Sequence, residues 1–584
     1  MTQLVLAETE NGCAVRRLLV ALGAAFTALR LEDVLAGGRE GQVGAKALIL
    51  SEDQLIIASQ IARSQRSGLR KILSAYCKVL ICPFAGTSDG VPALEQLAGA
   101  HIEATVASGD APECVVHGTK EMCGPFCGLR FRLTGNARDR LLTVRNAEHD
   151  TGFIVTLGGA GLFTRFALPQ FELFVASSTE VFDVAAEHRR NLDAAECFSG
   201  LAPVVFFVRH CGTPLPQSSL RWGNWVIDDP NLTPHYGFLR INDLAEAVSR
   251  TGAAATIGFI PWNHRRTSAA VVKLFRSLWP RLSICVHGCD HTQSEFSTAN
   301  VSDAANLVAL AVNRMDWLRS ETSLPYENVM VFPQGKFSEK AMCALRPSQL
   351  LGAVNTELSD AQTGQGIKGG ELLKSAITSY AGFPLFMRRP AQEPAANFAL
   401  DLLLGKPCLI VTHHEFFRDG MQPLVSLIEA LNHLEPELAW SSLETGISKT
   451  YTVRKNLDNT TDVCLFSART NLAFDVPAET VFFRKSEPMF DKDSQVIWNG
   501  QRVPWNGKNG EITFVRSVPA ADPATIEVRV LPVPELRLVR PTLKRRLKVA
   551  ARRHLAELRD NYIDRSPRIK AGVAAARRFM ARAN

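Results

Sequence analysis

Two short apolar runs near the middle of this chain each end in paired titratable side chains. Trp225-Val226-Ile227 leads into Asp228-Asp229-Pro230, and Leu282-Ser283-Ile284-Cys285-Val286 leads into His287-Gly288-Cys289-Asp290-His291. Runs of this length, rich in branched and aromatic residues, read as buried strands. Similar runs occupy 204–208, 256–260, 329–332 and 408–412, with helical periodicity over 241–250, 268–278 and 304–320 between them. Strands alternating with helices build a parallel sheet, here expected to close into a barrel or partial barrel over residues 200–445. In such folds, side chains at the carboxyl ends of the strands line the site.

The chemistry of those strand ends is specific. Two imidazoles four residues apart and one carboxylate from another strand supply three ligands to a divalent metal and leave a position open. The other aspartate is then placed to act as a base. Simpler readings exist for each part. Asp228-Asp229 before proline suits a turn or a helix cap, His287 and His291 suit satisfied strand-end polar residues, and His413-His414-Glu415 suits a plain strand terminus. Asp290 and Glu295 read as supporting or solvent-facing residues. Pro261-Trp262-Asn263-His264-Arg265-Arg266, also after a strand, offers an aromatic, an amide and cations to a sugar ring or an anion, or else forms a polar loop over a packed tryptophan.

Residues 1–195 alternate strand and helix patterns: a strand at Leu4-Val5-Leu6, a helix over 13–29, a strand over 47–50, a helix over 59–75 and a strand over 78–82. This predicts an accessory α/β domain of flavodoxin-like type, becoming richer in β alternation over 131–176. Gly158-Gly159-Ala160-Gly161 reads as a turn, and no phosphate-binding glycine loop is present. Residues 450–533 change to short strands near 473–476, 480–483, 495–498, 511–515 and 526–530. With Asn499-Gly500 and Asn509-Gly510 as hairpin turns, they predict a small β-sandwich.

The net charge of +7 is unevenly held. Residues 535–584 carry 15 Lys/Arg against 4 Asp/Glu, whereas residues 1–534 carry 50 against 54. Leu543, Leu547, Ala551, Leu555 and Leu558 form an apolar stripe at helical spacing within this basic tail, and Ile569, Val573 and Phe579 suggest a second helix after Pro567. A basic amphipathic helix predicts peripheral contact with an anionic membrane surface, with nucleic acid the weaker electrostatic alternative and packing on the acidic body the structural one. Thirteen cysteines without a dense framework, and an amino-terminal stretch unlike a secretory signal, lead to the expectation of a cytoplasmic protein.

The order Asp-Asp after one strand, H-x-x-x-H after a later strand and a histidine ending a last strand resembles the polysaccharide deacetylase (NodB-type, carbohydrate esterase) superfamily. The resemblance covers about 240 of the 584 residues. It implies a polysaccharide-deacetylase-like (β/α) barrel with Asp228 as base, Asp229, His287 and His291 as ligands of one divalent metal, zinc above all, and His413 as acid, with His414 competing for that role. The implied activity is deacylation of an acylated sugar or polysaccharide. The chain departs from the pattern in two places. Asp-Asp-Pro replaces Asp-Asp-Gly, and Phe332-Pro333-Gln334-Gly335-Lys336 stands where an arginine beside a proline is usual. Lys336, Arg388 and Arg389 are the candidates for the missing charge, and Trp262, Asn263, Arg265, Lys336 and His414 the candidates for substrate contact. The alternatives are a barrel that binds or assembles carbohydrate without turning it over, and a glycoside hydrolase. Adjacent aspartates on a continuing strand point to opposite faces, which disfavours the last.

Overall fold

The computed structural model describes residues 2–8, 13–36, 46–65, 68–107, 112–134, 138–456, 458–473, 478–518, 523–530, 539 and 541–565. Its centre is a ring of parallel strands. Trp222–Asp228, Ala255–Phe259, Leu282–His287, Glu327–Val331 and Gly352–Asn355 lie side by side, and Cys408–Thr412 flanks Trp222–Asp228 on its other edge. The last stave is broken. Leu385–Met387 pairs with Gly352–Asn355, whereas Arg389–Pro390 pairs with Cys408–Thr412, so only Arg388 separates the two segments that join the ring's ends. Every residue of Trp222–Asp228, Ala255–Phe259 and Leu282–His287 is buried, as helices on the outer face and packed side chains inside demand of a parallel sheet.

The amino-terminal part confirms a flavodoxin-like arrangement. Its parallel strands lie in the spatial order Phe26–Arg30, Gln3–Glu8, Lys46–Leu50, Lys78–Ile81, Glu172–Ala176, which is the 2-1-3-4-5 winding of that fold. An antiparallel extension over 101–167 is inserted before the final strand and continues the sheet beyond it. One expectation fails here. The single helix over 13–29 is instead a helix, Ala14–Ala21, and a strand, Phe26–Arg30; Gly23 at φ 67° stops the helix, and a short apolar run cannot by itself tell helix from strand. The same ambiguity explains 204–208. These residues belong to the helix Ala194–His210, buried on nearly all sides and therefore without amphipathic period. Phe207 of that helix stacks edge-on against Phe174 of the amino-terminal sheet at 5.4 Å.

Beyond the ring, two sheets pack over a core that includes Phe483, Phe514 and Trp498, forming the β-sandwich. Both Asn-Gly turns have positive φ at each residue, as a two-residue hairpin of this type requires. The Gly158-Gly159 turn is of the same kind. The basic tail forms a helix, Leu543–Leu558, continued by a wider turn over Arg559–Ile563. The second tail helix expected around Ile569, Val573 and Phe579 lies outside the described residues. All thirteen cysteines are free thiols, and among the described residues no helix is long and apolar enough to cross a membrane.

Candidate metal site

The ring's carboxyl ends open into a cavity of about 1370 Å³ lined by Asp228, Asp229, His287, His291, Arg388 and His413 among others. Trp222–Asp228 ends at Asp228, and Asp229 adopts a left-handed backbone, φ 83°. The strand therefore does not continue, and the expected divergence of the two aspartates does not occur: both reach the same cavity. His291 is also left-handed, φ 53°. Such conformations cost on the order of 1 kcal/mol or more in non-glycine residues and persist where the surroundings impose them. At His291 the imposing group is Glu295, whose carboxylate accepts backbone N–H bonds from Cys289 (2.7 Å), Asp290 (3.1 Å), His291 (3.2 Å) and Thr292 (3.2 Å).

The candidate metal ligands converge. Asp229 Oδ1 lies 3.0 Å from His291 Nε2 and 3.5 Å from His287 Nε2, and the imidazole centroids are 4.9 Å apart. His287 Nδ1 sits 3.1 Å from the Val331 carbonyl, a contact that, with Nδ1 as donor, turns Nε2 toward Asp229. Asp229 Oδ1 is buried and accepts no well-formed hydrogen bond, an orphaned anionic atom facing two imidazole nitrogens. That donor set fits a divalent cation. Burial alone would push the Asp229 carboxyl up, but His291 and His287 more than offset it and hold it well below the usual carboxylate range. Burial pulls His287 down; the charges of Asp228 and Asp229 outweigh this and raise it.

Asp228 is treated differently. It is 3% exposed, and the equally buried Arg388 grips it with both arms, Nη1–Oδ1 2.8 Å and Nη2–Oδ2 2.5 Å. Arg388 Nε donates to Thr356 Oγ1 at 3.2 Å, which fixes the plane of the guanidinium. Burial again works to raise the Asp228 carboxyl, and Arg388, with His287 and His413, holds it low. Of the three cations left open by the sequence, Arg388 is the one that meets Asp228. Arg389 is committed to Asp401 and Glu393, and Lys336 faces solvent. Gly258 on the neighbouring stave leaves room for the pair; a Cβ there would lie 2.9 Å from Asp228 Oδ1. His413 Nε2 stands 4.0 Å from Asp228 Oδ2 with its side chain 59% exposed.

His414 points elsewhere, between Tyr236 and Phe238, with Nε2 3.7 Å from Asp560 Oδ1. Trp262, Asn263 and Arg265 stay outside the cavity wall. Trp262 packs edge-on to His554 of the tail helix, Asn263 is buried and bonded to Asn231 and Arg266, and Arg265 lies over Trp317. What sequence reading missed is where the tail helix packs: it crosses the mouth of the ring. Glu557 takes Arg266 through two bonds (2.5 and 2.7 Å), Asp560 accepts from Tyr236 Oη at 2.7 Å, and Asn561 Oδ1 accepts from the Gly237 amide at 2.7 Å. The helix thereby lends Arg552, Arg553, Arg559 and Asp560 to the cavity wall.

No protein-family model matches the chain, and no curated protein does. Solved structures do match. A carbohydrate deacetylase, Agd3, is 11% identical over 91% of this chain and 99% of its own, with a TM-score of 0.47. The Xyl-CE4 domain of a xylanase from the hindgut metagenome of Trinervitermes trinervoides is 10% identical over 39% and 90%, TM-score 0.26. A CE4 family pseudoenzyme from Bacillus anthracis is 11% identical over 37% and 62%, TM-score 0.24. At these values function is read from the side chains of the cavity.

Proposed function

We propose that this chain is a metal-dependent hydrolase that removes an acyl group, acetyl above all, from a sugar or polysaccharide. One observation carries the reading: a half-buried carboxylate whose buried Oδ1 is orphaned and faces two imidazoles, Asp229 with His287 and His291, opens on the same cavity as the Asp228–Arg388 pair and His413. Asp229, His287 and His291 would hold the cation, zinc being the best fit for two imidazoles and one carboxylate. When bound, such a cation supplies the Lewis acidity that polarises an acyl oxygen and makes water a nucleophile at neutral pH.

The chain's own residues divide the remaining work. Asp228 is kept ionised by Arg388 and accepts the proton of the attacking water at a carboxylate oxygen. Arg388 orients that carboxylate, since two parallel N–H···O bonds leave it one plane. His413, at the open side, donates a proton from its imidazolium to the leaving amine or alkoxide. The alternative is a carbohydrate binder without turnover; the pairing of Arg388 with Asp228, which brings a guanidinium to the strand-end carboxylate, supports turnover over it. Full-length protein reconstituted with zinc should release acetate from acetylated sugars, and Asp228→Asn should abolish that release while retaining about one metal per chain. A zinc-loaded wild type that releases no acyl group from any acylated sugar tested would sink the proposal.

The tail suggests where the enzyme works. Leu543, Leu547, Leu555 and Leu558 are 69, 64, 65 and 48% exposed, among Lys544, Arg546 and Lys548. Apolar stripe and basic flank together favour peripheral binding of a cytoplasmic enzyme to an anionic lipid surface. Vesicles rich in phosphatidylserine should sediment the wild type and not the Leu543→Glu/Leu547→Glu variant at low salt; equal sedimentation of both excludes the helix as the contact.

A further inference from the structure

Among the described residues, the cavity wall holds a buried guanidinium whose Nε and Nη2 no group hydrogen-bonds. Arg553, on the tail helix, lines the cavity and is only 3% exposed, and its Nε and Nη2 are buried without any hydrogen-bond partner. Neighbouring carboxylates are taken. Glu557 gives Oε1 to Arg266 (2.5 Å) and Asn231 (3.1 Å) and Oε2 to Arg266 (2.7 Å). Asp560 is held by Tyr236 at 2.7 Å and Arg559 at 2.6 Å. Asp229 faces the two imidazoles. A buried guanidinium left in this state loses its hydration with no return, and a group from outside the chain that bonds it would restore the loss.

We infer that Arg553 is a specificity residue that receives a carboxylate on the acylated substrate, so that the preferred substrates are acylated acidic sugars, of uronic acid type, rather than neutral ones. The inference rests on the deacylase reading for the acyl part of the substrate and on Arg553 alone for the acidic part. A planar carboxylate matches the two-pronged donor face of a guanidinium. A monoanion also suits the surroundings better than a phosphate dianion, because Asp228, Asp229, Asp560 and Asp564 already place acidic groups on the same wall. Arg552, half-buried on the same wall, supplies a second cation at the rim. The tail helix thereby selects substrate, and the ring performs the chemistry.

The test uses zinc-loaded full-length protein, wild type, Arg553→Gln and Arg553→Lys, with three probes: D-glucuronate, D-glucose and D-glucose 6-phosphate. Calorimetry should show glucuronate bound by the wild type, glucose not bound, and the phosphate sugar weaker than glucuronate. Arg553→Gln should weaken glucuronate binding about tenfold to a hundredfold, the size of one charge-assisted pair, with Arg553→Lys between. The thermal midpoint of Arg553→Gln should equal or exceed that of the wild type, because an unpartnered charge is removed; a purely structural arginine would lower it. In parallel, the ratio of kcat/KM for acetylated glucuronate over acetylated glucose should fall by a similar factor in Arg553→Gln. Equal glucuronate affinity in wild type and Arg553→Gln, or no affinity in the wild type, overturns the inference. Glucuronate binding that depends on Arg553, with no acetate released from any acetylated sugar, leaves the carboxylate site standing and removes the deacylase reading instead.

Discussion

Two clusters in this molecule bring one histidine-carboxylate vocabulary to opposite ends. At the strand ends, Asp229, His287 and His291 place ligand atoms within 4.8 Å of one another; against the tail, His414, Asp560 and Asp564 do the same. In the first, the carboxylate oxygen is orphaned and faces imidazoles alone. In the second, Asp560 is already bonded by Tyr236 and by Arg559, and Arg559 reaches Asp564 at 3.8 Å. Side-chain identity and proximity do not separate the two. The distribution of existing partners does: it leaves the first open to the cation proposed above and makes the second a clamp that fixes the tail helix on the ring.

The sharpest break of that comparison is metal content. His287→Ala and Asp229→Ala should each lose the metal and lower kcat/KM by about a thousandfold or more, as expected for removal of a group acting in the transition state. Asp564→Asn should keep about one metal per chain by mass spectrometry; loss of the ion there would mean the clamp had been misassigned. Next in size is Arg388→Gln, which strands a buried Asp228. It should destabilise the fold by about 3–5 kcal/mol in chemical denaturation. Adding Asp228→Asn should restore most of that stability and none of the activity, separating the structural from the catalytic part of the pair.

Smaller again is the clamp itself. Tyr236→Phe removes the hydroxyl bonded to Asp560 and should cost about 1–3 kcal/mol, read as faster amide exchange over 543–563 with the ring strands unchanged. Exchange that rises equally in the ring would show that helix and ring open as one unit.

A buried glutamate gives the mildest effect and the opposite sign. Glu327, buried beneath the ring, has its pKa raised by burial from 4.5 to about 7. The folded state therefore keeps a proton that the unfolded chain has released, and stability falls as pH rises from about 4.5 to about 7. Glu327→Gln should flatten that part of the pH–stability curve; an unchanged slope would place its origin elsewhere.

The residues of the strand-end site were legible because each follows an apolar run whose length and composition mark a buried strand, and strand ends are where parallel rings gather function. The paired Asn-Gly turns were legible for an equally local reason, their tolerance of positive φ. Arg388 was not. Which of Lys336, Arg388 and Arg389 meets Asp228 depends on how the ring closes, a contact 160 residues away in sequence. The helix Ala194–His210 and the strand Phe26–Arg30 were misread because apolar runs without amphipathic period carry no directional information. The tail shows a subtler limit. Its leucine stripe predicts a helix correctly, yet docking uses the other face, through Glu557, Asp560 and Asn561. Periodicity reveals that two faces differ and not which of them meets the body. For that reason Trp262, expected to meet sugar, meets the helix instead.

Ring closure has a consequence for how such a protein can vary. One residue, Arg388, both bridges the two half-strands that complete the circle and carries the charge on which Asp228 depends. Its backbone amide still bonds the Asn355 carbonyl at 3.0 Å, so the stave has no slack on that side. Adding or removing a single residue between Leu385 and Pro390 would shift the guanidinium to the far face of the sheet and open the circle in the same event. Loops elsewhere on the ring can lengthen gradually under mutation. This stave can change only by substitution, which makes it the part of the scaffold where architecture and chemistry are inherited together.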